Sequence, residues 1–151
     1  MNYFLDCEFD SFGGDLLSLA LVPRDGSKPL YIVMERAAQP CTAWVEENVK
    51  PYLYSVPDHL SIWDGLTPAD AAATIRDYLR RDERPHIIAD WPDDIAYFCK
   101  ALMTEPGHMV ALRHMTFEML RVQAYPTQLE GAVQHNALYD AMALRHLFTD
   151  G

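Results

Sequence analysis

Carboxylates stand where the apolar pattern of this chain calls for buried side chains, and this constrains the fold more than any other feature. Asp6 and Glu8 interrupt the strand-like run Tyr3-Phe4-Leu5-Asp6-Cys7-Glu8-Phe9. An Asp93-Asp94 pair opens a mid-chain helical stretch, and Asp140 follows His135 near the C-terminus. A carboxylate taken out of water is costly unless it is paired or holds a cation. A chain carrying several must gather them at one charged centre or turn each to solvent.

Spacing separates these choices. Side chains two apart on a strand share a face, so Asp6 and Glu8 point together while Leu5 and Cys7 point the other way. Side-by-side carboxylates repel unless a cation lies between them. In the last helical stretch Ala137, Asp140, Ala141, Leu144 and Phe148 follow the spacing of a core-facing stripe, which puts Asp140 among small residues that let a helix approach a sheet. His135 falls just before this helix, with Asn136 as its N-cap, and can reach the same place from the loop. In the middle pair Asp94 aligns with Tyr97, Phe98, Ala101 and Leu102, whereas Asp93 aligns with Ala96 and Lys100. Asp94 is therefore the expected metal-site carboxylate. Asp93 serves the helix N-terminus, where negative charge is favoured, and Asp90 stands behind them as an outer partner.

Other features read as structure. Trp44, Val45 and Val49 are expected in the core, Arg76, Arg80, Arg81 and Arg84 on a solvated face, and Cys7 as a packed strand residue. Neighbouring anions disfavour a Cys7 thiolate. The chain has 151 residues, half of them hydrophobic, which suits one domain spanning 1–151 with its own core. Its three cysteines lack metal-ligand or disulfide spacing, no apolar run is long enough to span a membrane, and the start lacks a signal-peptide pattern. A reducing cytoplasm is the expected location. The net charge of −10 opposes broad non-specific duplex binding, yet it leaves room for a short nucleic-acid end held at carboxylate-bound cations.

Periodicity predicts strands over 2–9, 15–23 and 30–34, joined by turns at Gly13-Gly14 and Asp25-Gly26-Ser27. Helices are expected over 42–50, from Thr67-Pro68 to about Arg81, from Asp93 to about Met103, and over 136–148. Further strands are expected at 86–90 and 109–112. A meander followed by alternating strands and helices gives an α/β domain with a mixed sheet.

The order of these residues resembles the DEDDh 3′–5′ exonucleases of the RNase H-like superfamily, and most of all its small bacterial exoribonucleases. Phe4-Leu5-Asp6-Cys7-Glu8-Phe9 matches the first motif, Asp90-Trp91-Pro92-Asp93-Asp94 the second, and His135-Asn136-Ala137-Leu138-Tyr139-Asp140-Ala141 the third. The segment from Trp44 to Leu53 adds to the small-exoribonuclease likeness. The chain departs from the family with Phe9-Asp10 after the first motif, with Asp90 where Asn is usual, and with Asp93 where an aromatic is usual. The resemblance implies an RNase H-like mixed five-stranded sheet flanked by helices. It also implies two divalent cations, Mg2+ or Mn2+, held by Asp6, Glu8, Asp94 and Asp140. His135 would be the general base, and nucleoside 5′-monophosphates would leave the 3′ end of RNA. Members of this group commonly pair, which leaves room for a homodimer. The competing readings are a DNA exonuclease of the same mechanism and a non-catalytic nucleic-acid-binding module on the same fold.

Overall fold

Alternation of large apolar residues sets up the sheet. The structure, a computed structural model, describes residues 1–122 and 135–150, apart from the side chains of 149 and 150. The first three strands are β1 (Asn2–Phe9), β2 (Leu16–Pro23) and β3 (Leu30–Met34), and they form the expected antiparallel meander. The β1–β2 turn bends so sharply that a Cβ at Gly14 would lie 1.5 Å from the Asp10 carbonyl oxygen, so only glycine fits there.

After the meander the chain forms α1 (Ala43–Asn48), β4 (Trp63–Leu66), α2 (Pro68–Leu79), β5 (His86–Ala89) and α3 (Pro92–Ala101). Short strands β6 (Met103–Glu105), β7 (His108–Met109) and β8 (Thr116–Met119) follow, and α4 (Ala137–Asp150) closes the described chain. The result is a single α/β domain whose main sheet has six strands in the order β4-β3-β2-β1-β5-β8. The strand pairs β1–β5, β5–β8 and β3–β4 are parallel. Thr67 caps α2 as expected, its side chain accepting the Asp70 N–H at 3.1 Å with Pro68 at the first helical position.

Two corrections concern strands. Among the described residues the sheet has six strands, not five, because β4 adds an edge beside β3. Its run Trp63-Asp64-Gly65-Leu66 is mostly exposed, with Gly65 at φ +69° and Leu66 alone packed on the core, so it carries no alternating pattern. The apolar stretch 109–112 is not a sheet strand. Met109 belongs to a separate β6–β7 ladder, Val110 N–H bonds to Leu102, and the place beside β5 is taken by β8. Val110 is apolar because it seals the core from a loop.

The sheet divides the core in two. On one face Leu5, Cys7, Leu19, Leu21 and Ile32 pack under Ile75 and Leu79 of α2 and Phe98 of α3. On the other, Phe4, Ala20, Val33 and Ile88 pack under Ala137, Leu138, Ala141 and Leu144 of α4 and Val45 of α1. Asp6 and Glu8 are in phase with Phe4 and so emerge on the α4 side. Among the described residues no helix is long and apolar enough to cross a membrane.

Candidate metal centre and cleft

The centre opens where two parallel strands part. β1 pairs with β5 only from Asn2 to Phe4 and then runs on to Phe9 with β2 alone beside it, while β5 stops at Ala89. Beyond the split the outer edge of β1 has free backbone donors. The Cys7 N–H is met by the Asp94 carboxylate, whose Oδ1 accepts it at 3.1 Å. Asp94 sits in the first turn of α3 and is only 4% exposed, whereas its neighbour Asp93 is half-buried and accepts the Trp91 indole N–H at 3.1 Å. The difference in burial read from helical phase is the one observed.

Two acidic clusters meet at Asp6. Oxygens of Asp6, Glu8 and Asp140 all lie within 4.8 Å of one another, and so do oxygens of Asp6, Asp90 and Asp94. Each cluster could hold a metal ion, and Asp6 belongs to both. Asp6 is half-buried, yet its Oδ2 is cut off from solvent and has no hydrogen-bond partner among the described residues. A buried anionic oxygen left unpaired is a strongly unfavourable state for a bare protein. The expectation for Asp90 is corrected here. Ending β5 at the point where the strands part, it joins the acidic cluster directly instead of standing behind it.

The electrostatics record the crowding. Burial, then repulsion from Asp94, Asp140, Glu8 and Asp90, holds Asp6 well above the usual carboxylate range. Burial and the charges of Asp140 and Asp94 push Glu8 up to about 9. Asp94 is pushed up to about 8 by burial and the nearby Asp90 and Asp93, against the opposing Cys7 N–H. Asp140 rises to about 7 through burial, although hydrogen bonds from Glu8 and the His135 backbone draw it down. Burial and the same anions push the Cys7 thiol well up, so it is an inert packed residue, as expected.

α4 presents Asp140 and His135 through a well-built N-terminus. Asn136 is fully buried; its Oδ1 accepts the N–H groups of Leu138 at 3.0 Å and Tyr139 at 3.2 Å, and its Nδ2 donates to the Tyr52 carbonyl at 2.7 Å. His135 precedes this cap at φ +60°, a left-handed conformation uncommon for a residue with a side chain. Its ring lies edge-on to Trp44, with centroids 5.1 Å apart, and both line the cleft that contains the carboxylates.

The cleft measures about 890 Å³, and its rim carries exposed aromatic rings. Trp44 corrects the sequence reading: it is 56% exposed on the cleft, while Val45 and Val49 do enter the core. Helical phase separates Trp44 from Val45 only once the sheet has fixed which side of α1 is buried. Asp10 ties this wall in place: its Oδ1 accepts the Thr42 N–H at 2.9 Å and its Oδ2 pairs with Arg36 at 3.1 Å. On the opposite face Phe9 stacks on Tyr97, whose hydroxyl donates to the Gly14 carbonyl, so α3 is fixed to the β1–β2 turn.

Comparison with known proteins finds no matching family model, curated protein or solved structure.

Proposed function

We propose that this protein is a metal-dependent 3′–5′ exonuclease of the DEDDh type on an RNase H-like fold, releasing nucleoside 5′-monophosphates from RNA. The observation that carries the reading is Asp6, whose carboxylate is shared by two acidic clusters and keeps one oxygen buried with no partner among the described residues. The residues fit hard divalent cations: every donor is a carboxylate oxygen, the set suited to Mg2+ or Mn2+. Glu8 and Asp140 would complete one cluster, and Asp90 and Asp94 the other. The strand order β3-β2-β1-β5-β8, antiparallel then parallel, also supports the reading.

Bound cations would neutralise the carboxylates, favour ionisation of water and stabilise charge on the phosphate and departing oxygen. The protein's own residues supply the rest. Asp6, Glu8, Asp90, Asp94 and Asp140 would hold those cations, and through them the reacting phosphodiester would be positioned. His135 takes the proton of the attacking water on an imidazole nitrogen. The new P–O bond forms as the bond to the 3′-oxygen breaks, and that oxygen leaves as a hydroxyl after taking a proton from solvent. Trp44, edge-on to His135, would keep the terminal nucleotide in the cleft.

The test is a time course on 5′-labelled single-stranded RNA and matched DNA with Mg2+ or Mn2+ against EDTA. A metal-dependent ladder shortening from the 3′ end, faster on RNA, is the expected result. Faster shortening of DNA would move the substrate to DNA. No cleavage of either strand by folded protein would replace the enzyme with a binding module.

A further inference from the structure

The proposed reaction does not account for the wall of the cleft built by Trp91. This indole is 49% exposed and lines the cleft, although a large apolar ring is costly to leave in water. It is also held firmly. Its N–H donates to Asp93 at 3.1 Å, and the Arg121 guanidinium lies 5.1 Å from its ring centroid. Among the described residues no carboxylate pairs with Arg121, in a chain whose net charge is −10. Phe12, at the tip of the β1–β2 turn, adds a 91% exposed ring to the same cleft.

We propose that Trp91 and Arg121 form a stacking wall that grips one unpaired base and its phosphate as a single strand enters the cleft. The inference rests on the exonuclease reading and names the form of its substrate. A fixed aromatic face receives any base, because every base offers a π-face, and it loses little freedom on binding when already clamped. A guanidinium can lie on the ring and still present donors to phosphate oxygens. Beside a centre crowded with carboxylates, a cation on this wall gives the strand a favourable line of approach. A paired base has its faces covered by stacked neighbours, so the wall selects single-stranded ends.

The test is a binding titration of the full chain with a short 5′-fluorescein-labelled single strand in Ca2+, repeated over a range of salt. Trp91→Ala should weaken binding by roughly 5- to 150-fold, the scale of one base–aromatic stack, without changing the salt slope. Trp91→Phe should restore most of the loss. Arg121→Gln should lower the slope of log affinity against log salt by about 0.7, the value for one phosphate contact on a single strand. Both side chains lie at the surface, and matching melting temperatures will show that the variants fold. Wild-type affinity and slope in both variants would overturn the wall and leave the exonuclease reading intact. Equal affinity of the wild-type protein for a blunt duplex would overturn the single-strand selection. A wild-type protein that neither binds nor shortens any strand would overturn both.

Discussion

Neutralising Asp6 should stabilise this protein when divalent cations are removed, although it destroys the centre of the site. The perturbation is Asp6→Asn, which keeps the side-chain shape, removes one charge and gives the surrounding carboxylates a hydrogen-bond donor. Asp140 rises from 3.8 to about 7 and Asp94 from 3.8 to about 8 as the acids crowd together. At roughly 1.4 kcal/mol per pH unit, the cost per group at alkaline pH has a ceiling of about 4–6 kcal/mol. The acids share protons and water enters the cleft, so removing one charge returns a part of this, about 1–3 kcal/mol. For a chain of this size that is a rise in Tm of roughly 3–10 °C. The pH dependence has a fixed sign. A carboxyl whose folded value exceeds its unfolded value of about 3.9 costs nothing below that value, where both states are protonated. The cost grows as pH rises and is complete above the folded values of about 7 for Asp140, about 8 for Asp94 and about 9 for Glu8. The variant's advantage in EDTA should therefore be absent near pH 4 and largest near pH 9 (about the span of those values). Saturating Mg2+ should reverse the order, because at 100 times its Kd a ligand adds about 2.7 kcal/mol to the protein that binds it. Thermal melts of both proteins across pH, with EDTA and with Mg2+, measure all of this. A variant less stable than wild type in EDTA at pH 8 (roughly the folded value for a crowded carboxyl) would refute the reasoning, as would an equal gain from Mg2+ in both.

The remaining predictions concern separate parts of the machinery. His135→Ala should lower turnover on labelled RNA by about 10²–10⁴-fold, the usual worth of a general base, and wild-type rates would remove it from that role. Asp90→Asn should shrink the Mg2+-induced rise in Tm; an undiminished rise would return Asp90 to the position of an outer partner. Asn136→Ala loses both N-cap bonds of α4 and the tether to Tyr52, so urea unfolding should show a loss of about 1–3 kcal/mol. Phe98→Ala opens a cavity beneath α3, in the core face beside Asp94, and should cost about 3–5 kcal/mol in the same assay.

The acidic pattern was legible along the chain because periodicity is a local property. Two-residue spacing put Asp6 and Glu8 on one face, helical phase chose Asp94 over Asp93 for burial, and Asn136 announced the cap that now holds α4. The meander and most of the helices followed from the same patterns. Strand β4 was not legible, since a mostly exposed edge that sends one side chain, Leu66, to the core leaves no periodic hydrophobic trace. The apolar stretch 109–112 misled for the opposite reason: Val110 and Leu112 are apolar because they pack on the core from a loop, not because they pair in the main sheet. The clustering of the acids was decided by tertiary structure alone. Asp90 joined the cluster because β1 and β5 part at the point where β5 ends, a separation no residue spacing records. Trp44 and Trp91 became walls of the cleft because the packed sheet decided which side of each neighbouring segment was buried. A chain encodes the phase of its side chains residue by residue. Which of those faces meet across a gap depends on strands and helices far apart in the sequence.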